Sequence, residues 1–249
     1  MEKCFGFNPI KIKKDNMKRV TIIFSLLFLV MSCNKINRDK KVDKERLLAS
    51  DYRLFQNTPA WALAKAVWDD DIERIDEEVK KNPKVINYQE TFYGKTLLHL
   101  SSYNNNYKAF KELLRLGANP NIADSLHCTT PLIEVALSFD DKIKYAEELV
   151  KYKADVNYVE CDSGKEEQKT NATPLIAASA NGHLDIAKLL IKNGAKINYV
   201  NSHGGYALSA ALGSYDIMLY LLQHGADCSK ILYKKGGAEN LQNIYMKIG

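Results

Sequence analysis

The chain lacks the short signatures of common enzyme chemistry: it has no HExxH pair, no CxxC pair, no GxSxG elbow and no phosphate-binding glycine loop. Those absences argue against zinc hydrolysis, dithiol redox work, a serine nucleophile and nucleotide phosphate binding. The histidines, His99, His127, His183, His203 and His224, are strung along the chain and not clustered, so no metal, cofactor or catalytic residue is expected and the chain is not expected to be an enzyme. Basic charge is missing where a nucleic-acid face would need it. The whole chain carries +5, yet residues 47–249 hold 23 basic against 25 acidic residues, so the excess sits in the first 46 residues and no nucleic-acid partner is expected. Long apolar runs are missing too. The stretch from Val20 to Met31 is twelve residues, interrupted by Thr21 and Ser25; as a helix it reaches about 18 Å against a hydrocarbon core of about 30 Å, which argues for a secretion signal behind Met17-Lys18-Arg19 and against a permanent span.

What the chain does have is a repeated phrase, clearest between Thr173 and Asn198. Thr173 is a helix cap and Pro174 fills the first helical position, where a missing N–H costs nothing. Ala177 and Ala178 form helix and let a partner approach closely, and Asn181-Gly182 supplies a stop. Ile186, Leu189 and Leu190 then recur at three- and four-residue spacing until Gly194, giving a second short helix with one apolar stripe. Imperfect copies begin at Trp61, Thr96, Thr130 and Tyr206. Their closing residues Asn87, Asn121, Asn157 and Asn198 fall 34, 36 and 41 residues apart. The third copy runs two residues longer than the fourth, with Phe139-Asp140-Asp141 where its first helix should end, which implies a longer helix or turn. The connection from Asn157 to Thr173 carries an acidic insert.

With its TPL, NGH and NGA phrases and a period close to about 33 residues, the chain resembles the ankyrin-repeat family. That resemblance implies an all-α solenoid of about five helix-turn-helix repeats joined by β-hairpin connections, over residues 58–229, with capping segments at 47–57 and 230–249. His99 stands where the family's TPLH histidine fixes repeat stacking through backbone hydrogen bonds. Upstream, Leu29-Val30-Met31-Ser32-Cys33 resembles the lipobox of bacterial lipoproteins. The resemblance implies a cleaved signal over residues 1–32, a lipid on Cys33, a charged tether over 33–46 and a place in the bacterial cell envelope, periplasmic or surface-exposed. Whether Met1 or Met17 starts the chain is left open. Two or more acyl chains anchor stably where one does not. Cys128 and Cys161 lie in connections of adjacent repeats, so a bridge between them is conceivable, and the narrow geometry of a disulfide leaves the matter to the structure.

The surface left for function is the concave face of the solenoid, expected to bind an unknown protein partner through Trp68, Phe92, Tyr93, Tyr103, His127, Glu134, Phe139, Tyr158, Asn181 and His203. Aromatic anchors of this kind dominate protein recognition. The function expected is a lipid-anchored scaffold for protein–protein interaction, in its narrower form an inhibitor or immunity-type binder. The rival reading is an envelope enzyme or a metal-binding stress protein using the acidic insert and the histidines. For the anchor, Cys33→Ser is expected to leave the protein soluble or uncleaved. Metabolic labelling with a fatty acid checks this, since continued incorporation into the variant means that Cys33 is not the lipid site.

Overall fold

The computed structural model describes residues 38–161 and 171–229. The signal, Cys33, residues 162–170 of the acidic insert and the 230–249 segment lie outside the described residues. The chain divides into two compact units, Met1–Lys41 and Val42–Gly249, and every element below belongs to the second.

Five helix pairs follow one another: α1 (Trp61–Trp68) with α2 (Ile72–Lys81), α3 (Leu97–Tyr103) with α4 (Tyr107–Arg115), α5 (Pro131–Ala136) with α6 (Ile143–Lys151), α7 (Pro174–Ala180) with α8 (Leu184–Lys192), and α9 (Ala207–Ala210) with α10 (Tyr215–Gln223). The first helix of each pair packs on the first helix of the next, and the second helices stack in a parallel series. No described helix is long and apolar enough to cross a membrane. The expected capping chemistry is present, with Thr173 Oγ1 accepting from the Ile176 N–H at 3.2 Å and Pro131 and Pro174 in the first turns of α5 and α7. The last repeat, without a Thr-Pro start, has only a four-residue α9 that passes into a 3-10 turn, Ala211–Gly213. The outer helices α4, α8 and α10 end in a left-handed glycine, Gly117, Gly194 and Gly225, at φ 87–98°, whereas α2 ends at Asn82 with φ −147°. In the third repeat Lys153 takes the same place at φ 67°, accepting a cost of about 1–2 kcal/mol that glycine avoids.

The core is continuous along the stack. Leu97, Leu98, Leu100, Leu132, Ile133, Val135, Leu175, Ala177 and Ala178 of the inner helices are buried between neighbours, and Ile75, Leu113, Leu149, Ile186, Ile217 and Leu221 do the same for the outer row. At the open end of the first pair a 3-10 turn, Tyr52–Phe55, buries Tyr52, Leu54 and Phe55 and supplies the cap that a terminal repeat requires. Residues 44–46, inside the segment expected as a tether, form another such turn. There Lys44 Nζ donates to the carbonyls of Leu54 and Gln56 at 2.6 and 2.7 Å, closing the cap from outside.

Two periodic sets of hydrogen bonds lock the register. The closing asparagines form one. The side-chain oxygens of Asn87, Asn121, Asn157 and Asn198 accept from the backbone N–H of Asn119, Asp155, Lys196 and Asp227 at 2.7–2.8 Å. The amides of Asn121, Asn157 and Asn198 donate in return to the carbonyls of Lys153, Gly194 and Gly225. The second set starts at the residue before α4, α6 and α8: Asn106 Nδ2 donates to Trp68 O at 3.5 Å, Lys142 Nζ to Ser102 O at 2.5 Å, and His183 Nε2 lies 2.6 Å from Ser138 O. Three different side chains thus reach back one repeat, to the last residues of α1 and α3 and to the turn just after α5, where carbonyls lack helical partners. Asp70, at φ 55°, adds a forward link by accepting from the Ala109 N–H at 2.6 Å, so the acidic run before α2 is a cap and a coupling between repeats.

The connections reverse the chain as hairpins do, but no strand occurs among the described residues. Backbone bonds such as Glu90 N–H to Lys95 O, Asp124 N–H to Thr129 O and Asn201 N–H to Gly205 O close reversals too short for a ladder.

Asn157→Ala removes both halves of one inter-repeat hook and is expected to lower stability by about 1–2 kcal/mol, at roughly 0.5–1.5 kcal/mol per hydrogen bond. Asn157→Asp, which keeps the acceptor, is expected to lose less. Urea unfolding followed by circular dichroism measures both.

Candidate functional site

The reversals and inner helices form the face where binding residues were expected, and the reversals are built around acceptors placed three residues after each closing asparagine. The Glu90 carboxylate accepts from the N–H groups of Phe92, Tyr93 and Lys95 at 2.7–3.0 Å. Asp124 Oδ1 accepts from Leu126, His127 and Thr129. Asn201 Oδ1 accepts from His203 and Gly205. Glu90 and Asp124 are buried, so their carboxylates hold the loops from within and leave the tips to other side chains. Phe92 and Leu126 stand at those tips, 45% and 42% exposed.

A disulfide joins Cys128 to Cys161, with Cα atoms 5.3 Å apart. It ties two successive reversals together beside the hydrogen bond from Thr129 Oγ1 to Glu160 Oε1 at 2.8 Å. A loop of that separation, 33 residues, stabilises by about 3–4 kcal/mol in the chain-entropy description.

Behind the loops lies His99, fully buried. Its Nδ1 accepts from the Thr96 N–H at 3.2 Å and lies 2.9 Å from Thr96 Oγ1, while Nε2 lies 3.1 Å from the Thr129 carbonyl. A backbone N–H can only donate and a carbonyl can only accept, so the ring is the neutral Nε2–H tautomer. Burial pushes its pKa down from 6.5, against the opposing pull of the Glu134 charge. The stacking role expected for this histidine is the one it plays.

Between α3, α5 and the turn that follows α5 lies a groove of about 460 Å³, lined by Tyr103, Leu126, His127, Glu134, Leu137 and Phe139 among others. Its cause is the two extra residues of the third repeat. Ten positions separate Thr96 from Asn106 and Thr173 from His183, but twelve separate Thr130 from Lys142. The added length goes into the turn and not into the helix, since α5 stops at Ala136 and α6 starts at Ile143. The turn carries Phe139 outward, 102% exposed. Lys142 still makes the backward bond to Ser102, adds one to Tyr103 O at 3.2 Å, and passes 5.8 Å from the centre of the Tyr103 ring. Burial lowers its pKa, partly opposed by Asp140 and Glu134. Glu134 is ion-paired with Lys95 on the groove floor.

Of the ten residues expected to bind a partner, the groove gathers Tyr103, His127, Glu134 and Phe139. Phe92 is exposed at its tip, and His203 is exposed at another. Trp68 stacks on Tyr52 with ring centres 5.7 Å apart, and Tyr93 donates to Leu47 O at 3.0 Å. These two and Tyr158 pack half-buried against the core. Asn181 closes the end of α7 by donating to Ala177 O at 3.0 Å. Leu126, Leu137, Asp140 and Lys142 belong to the groove and were not anticipated. The run Leu137-Ser138-Phe139-Asp140-Asp141, where the inner helix should end, was the available signal. No group of three or more His, Cys, Asp or Glu suited to a metal ion occurs among the described residues.

Residues 158–231 match the family described as ankyrin repeats (3 copies), and residues 93–125 match the ankyrin repeat. An ankyrin repeat protein of Rickettsia bellii is 30% identical over 176 residues, 62% of this chain and 65% of that protein. An ankyrin repeat protein of fowlpox virus is 33% identical over 123 residues, 49% of this chain and 34% of its own length. A mouse serine/threonine-protein kinase is 32% identical over 126 residues, 51% of this chain but only 14% of the kinase. The chain thus spans less than two thirds of each of these relatives, and the kinase match covers too little of that enzyme to carry its activity across.

His99 sets a pH dependence. A histidine held neutral in the fold but free to protonate when unfolded contributes stability that is intact above about pH 6.5 and is lost as pH falls below it toward the depressed folded value, with a slope of at most about 1.4 kcal/mol per pH unit. The slope of unfolding free energy between pH 7 and 5, measured by urea titration, is expected to be smaller in His99→Gln than in the parent chain.

Proposed function

We propose that this chain, which carries ankyrin repeats, is a protein-interaction scaffold held in the bacterial cell envelope by a lipid on Cys33, with a binding face made of its inner helices and reversal tips and no chemistry of its own. The observation that carries the reading is the groove at the third repeat. A solenoid with an otherwise buried apolar core offers water a complete phenylalanine ring, beside Tyr103, Leu126 and Leu137, each more than 40% exposed. Exposed apolar patches of this kind on a stable scaffold mark places where another protein sits. The disulfide supports an exported location, because such bridges persist in oxidising compartments and are rare in a reducing cytosol. The lipobox resemblance supports the anchor, and the narrower role is that of an inhibitor or immunity-type binder that blocks its partner by covering it.

Phe139 is fully exposed, and Tyr103, 56% exposed, faces only the Lys142 ammonium with its ring among the contacts described. Tyr103→Glu together with Phe139→Glu is therefore expected to abolish recovery of partners crosslinked in intact cells while leaving the thermal unfolding midpoint within a few degrees of the parent. Unchanged recovery would place the binding face elsewhere.

A further inference from the structure

The charges around the groove are unevenly presented. Its two lysines are turned inward: Lys95 is 12% exposed in its side chain and ion-paired with Glu134, and Lys142 is 6% exposed with its ammonium on two carbonyls. Asp124 is buried with one oxygen on three backbone N–H groups. Asp140 is different. It sits on the lip next to Phe139, exposed, and no bond to its carboxylate occurs among the described residues. Beneath it Glu134 spends one oxygen on Lys95, and its other oxygen, Oε2, is buried with no hydrogen-bond partner. The groove therefore presents to an incoming group the Tyr103 and Phe139 rings, the His127 imidazole, two leucines and, at the lip, the Asp140 carboxylate. Aromatic faces attract cations through their quadrupole, most strongly once water is excluded, and a carboxylate beside them adds a direct ionic partner. An acidic partner would instead meet Asp140 with no outward lysine to pair with.

We propose that this groove recognises a protein segment in which an arginine or lysine stands next to a large apolar residue, the apolar side chain lying between Tyr103, Leu126 and Leu137 and the cation reaching Phe139 and Asp140. The inference rests on the scaffold reading and gives its partner a chemistry. A volume near 460 Å³ lies within the roughly 300–1,000 Å³ of ligand sites and suits a few side chains, not a folded domain. The rest of the interface would come from the flanking tips, Phe92 among them.

The test is selection of random twelve-residue peptides displayed on phage against the full chain, followed by fluorescence anisotropy of synthetic copies of the enriched peptides. Enriched peptides are expected to place arginine or lysine within two positions of leucine, isoleucine, phenylalanine or tryptophan. Phe139→Ser is expected to weaken them at least tenfold. Asp140→Lys is expected to weaken them about as much and to accept instead the same peptides with the basic residue exchanged for glutamate. Both substituted residues are exposed, and thermal melts verify that the variants fold. Enrichment of acidic or uncharged peptides, binding indifferent to Phe139→Ser, or no charge exchange at Asp140→Lys would overturn the proposal while leaving a scaffold with another specificity. If no peptides are enriched the proposal also falls. The scaffold reading falls with it only if crosslinking in intact cells recovers no protein partner.

Discussion

Everything in this structure depends on adjacent helix pairs meeting in register, because no pair can bury its apolar stripe alone. Hydrophobic burial drives the stacking but is indifferent to small slips. The hydrogen bonds that are not indifferent come from a few polar side chains at fixed places in the repeat. The closing asparagines grip the next repeat at one end of the outer helices, through both halves of the amide from Asn121 onward. At the other end Asn106, Lys142 and His183 grip the preceding repeat. A pair held at both ends cannot slide, and core side chains such as Leu113 and Leu149 then meet the same neighbours throughout. This explains why insertions in the chain fall between the grips. The two extra residues of the third repeat lie in the turn before Lys142, and the longer connection lies between Glu160 and Asn171.

The repeat was legible in the sequence because its signals are local: a threonine cap, a proline at the first helical position, a glycine stop, and apolar residues three or four apart. The periodic placement of Asn87, Asn121, Asn157 and Asn198 was legible, yet what they do was not, since each binds a backbone 27 to 39 residues away. The backward grip was harder still. Asparagine, lysine and histidine share neither size nor charge, and only the structure shows that each donates to the same kind of carbonyl. The Cys128–Cys161 bridge was conceivable but undecidable for a related reason, because a separation of 33 residues says nothing about whether two Cα atoms come within 5.3 Å. Stacked repeats bring equivalent positions close together, and these two cysteines are almost one period apart.

The same division runs through the candidate site. Tyr103, His127, Glu134 and Phe139 were reachable from the sequence as positions that the repeat leaves free, and the groove contains them. Trp68, Tyr93 and Tyr158 met the same criterion, but they lie half-buried on the core. An aromatic ring serves equally well as an anchor for a partner and as a lid over a neighbouring repeat, and periodicity does not distinguish the two. Stacking on Tyr52 and a hydrogen bond to Leu47 tie Trp68 and Tyr93 to the N-terminal cap, a contact that no spacing rule within the repeat describes.

Holding the loops from inside is what frees their outer surfaces. A reversal whose N–H groups converge on Glu90 or Asp124 keeps its shape whichever residue occupies the tip, so phenylalanine, leucine and histidine stand at Phe92, Leu126 and His203 on a common backbone plan. Lys142 does the same for the third turn. With a shorter side chain, the residue before α6 would have to approach Ser102 more closely and draw the turn inward. The lysine stem spans the distance while its ammonium remains on the end of α3, so the turn keeps its extra length and Phe139 is carried clear of the core. The bond that preserves the register therefore also displays Phe139, and the stability of the stack and the exposure of its groove have a common cause.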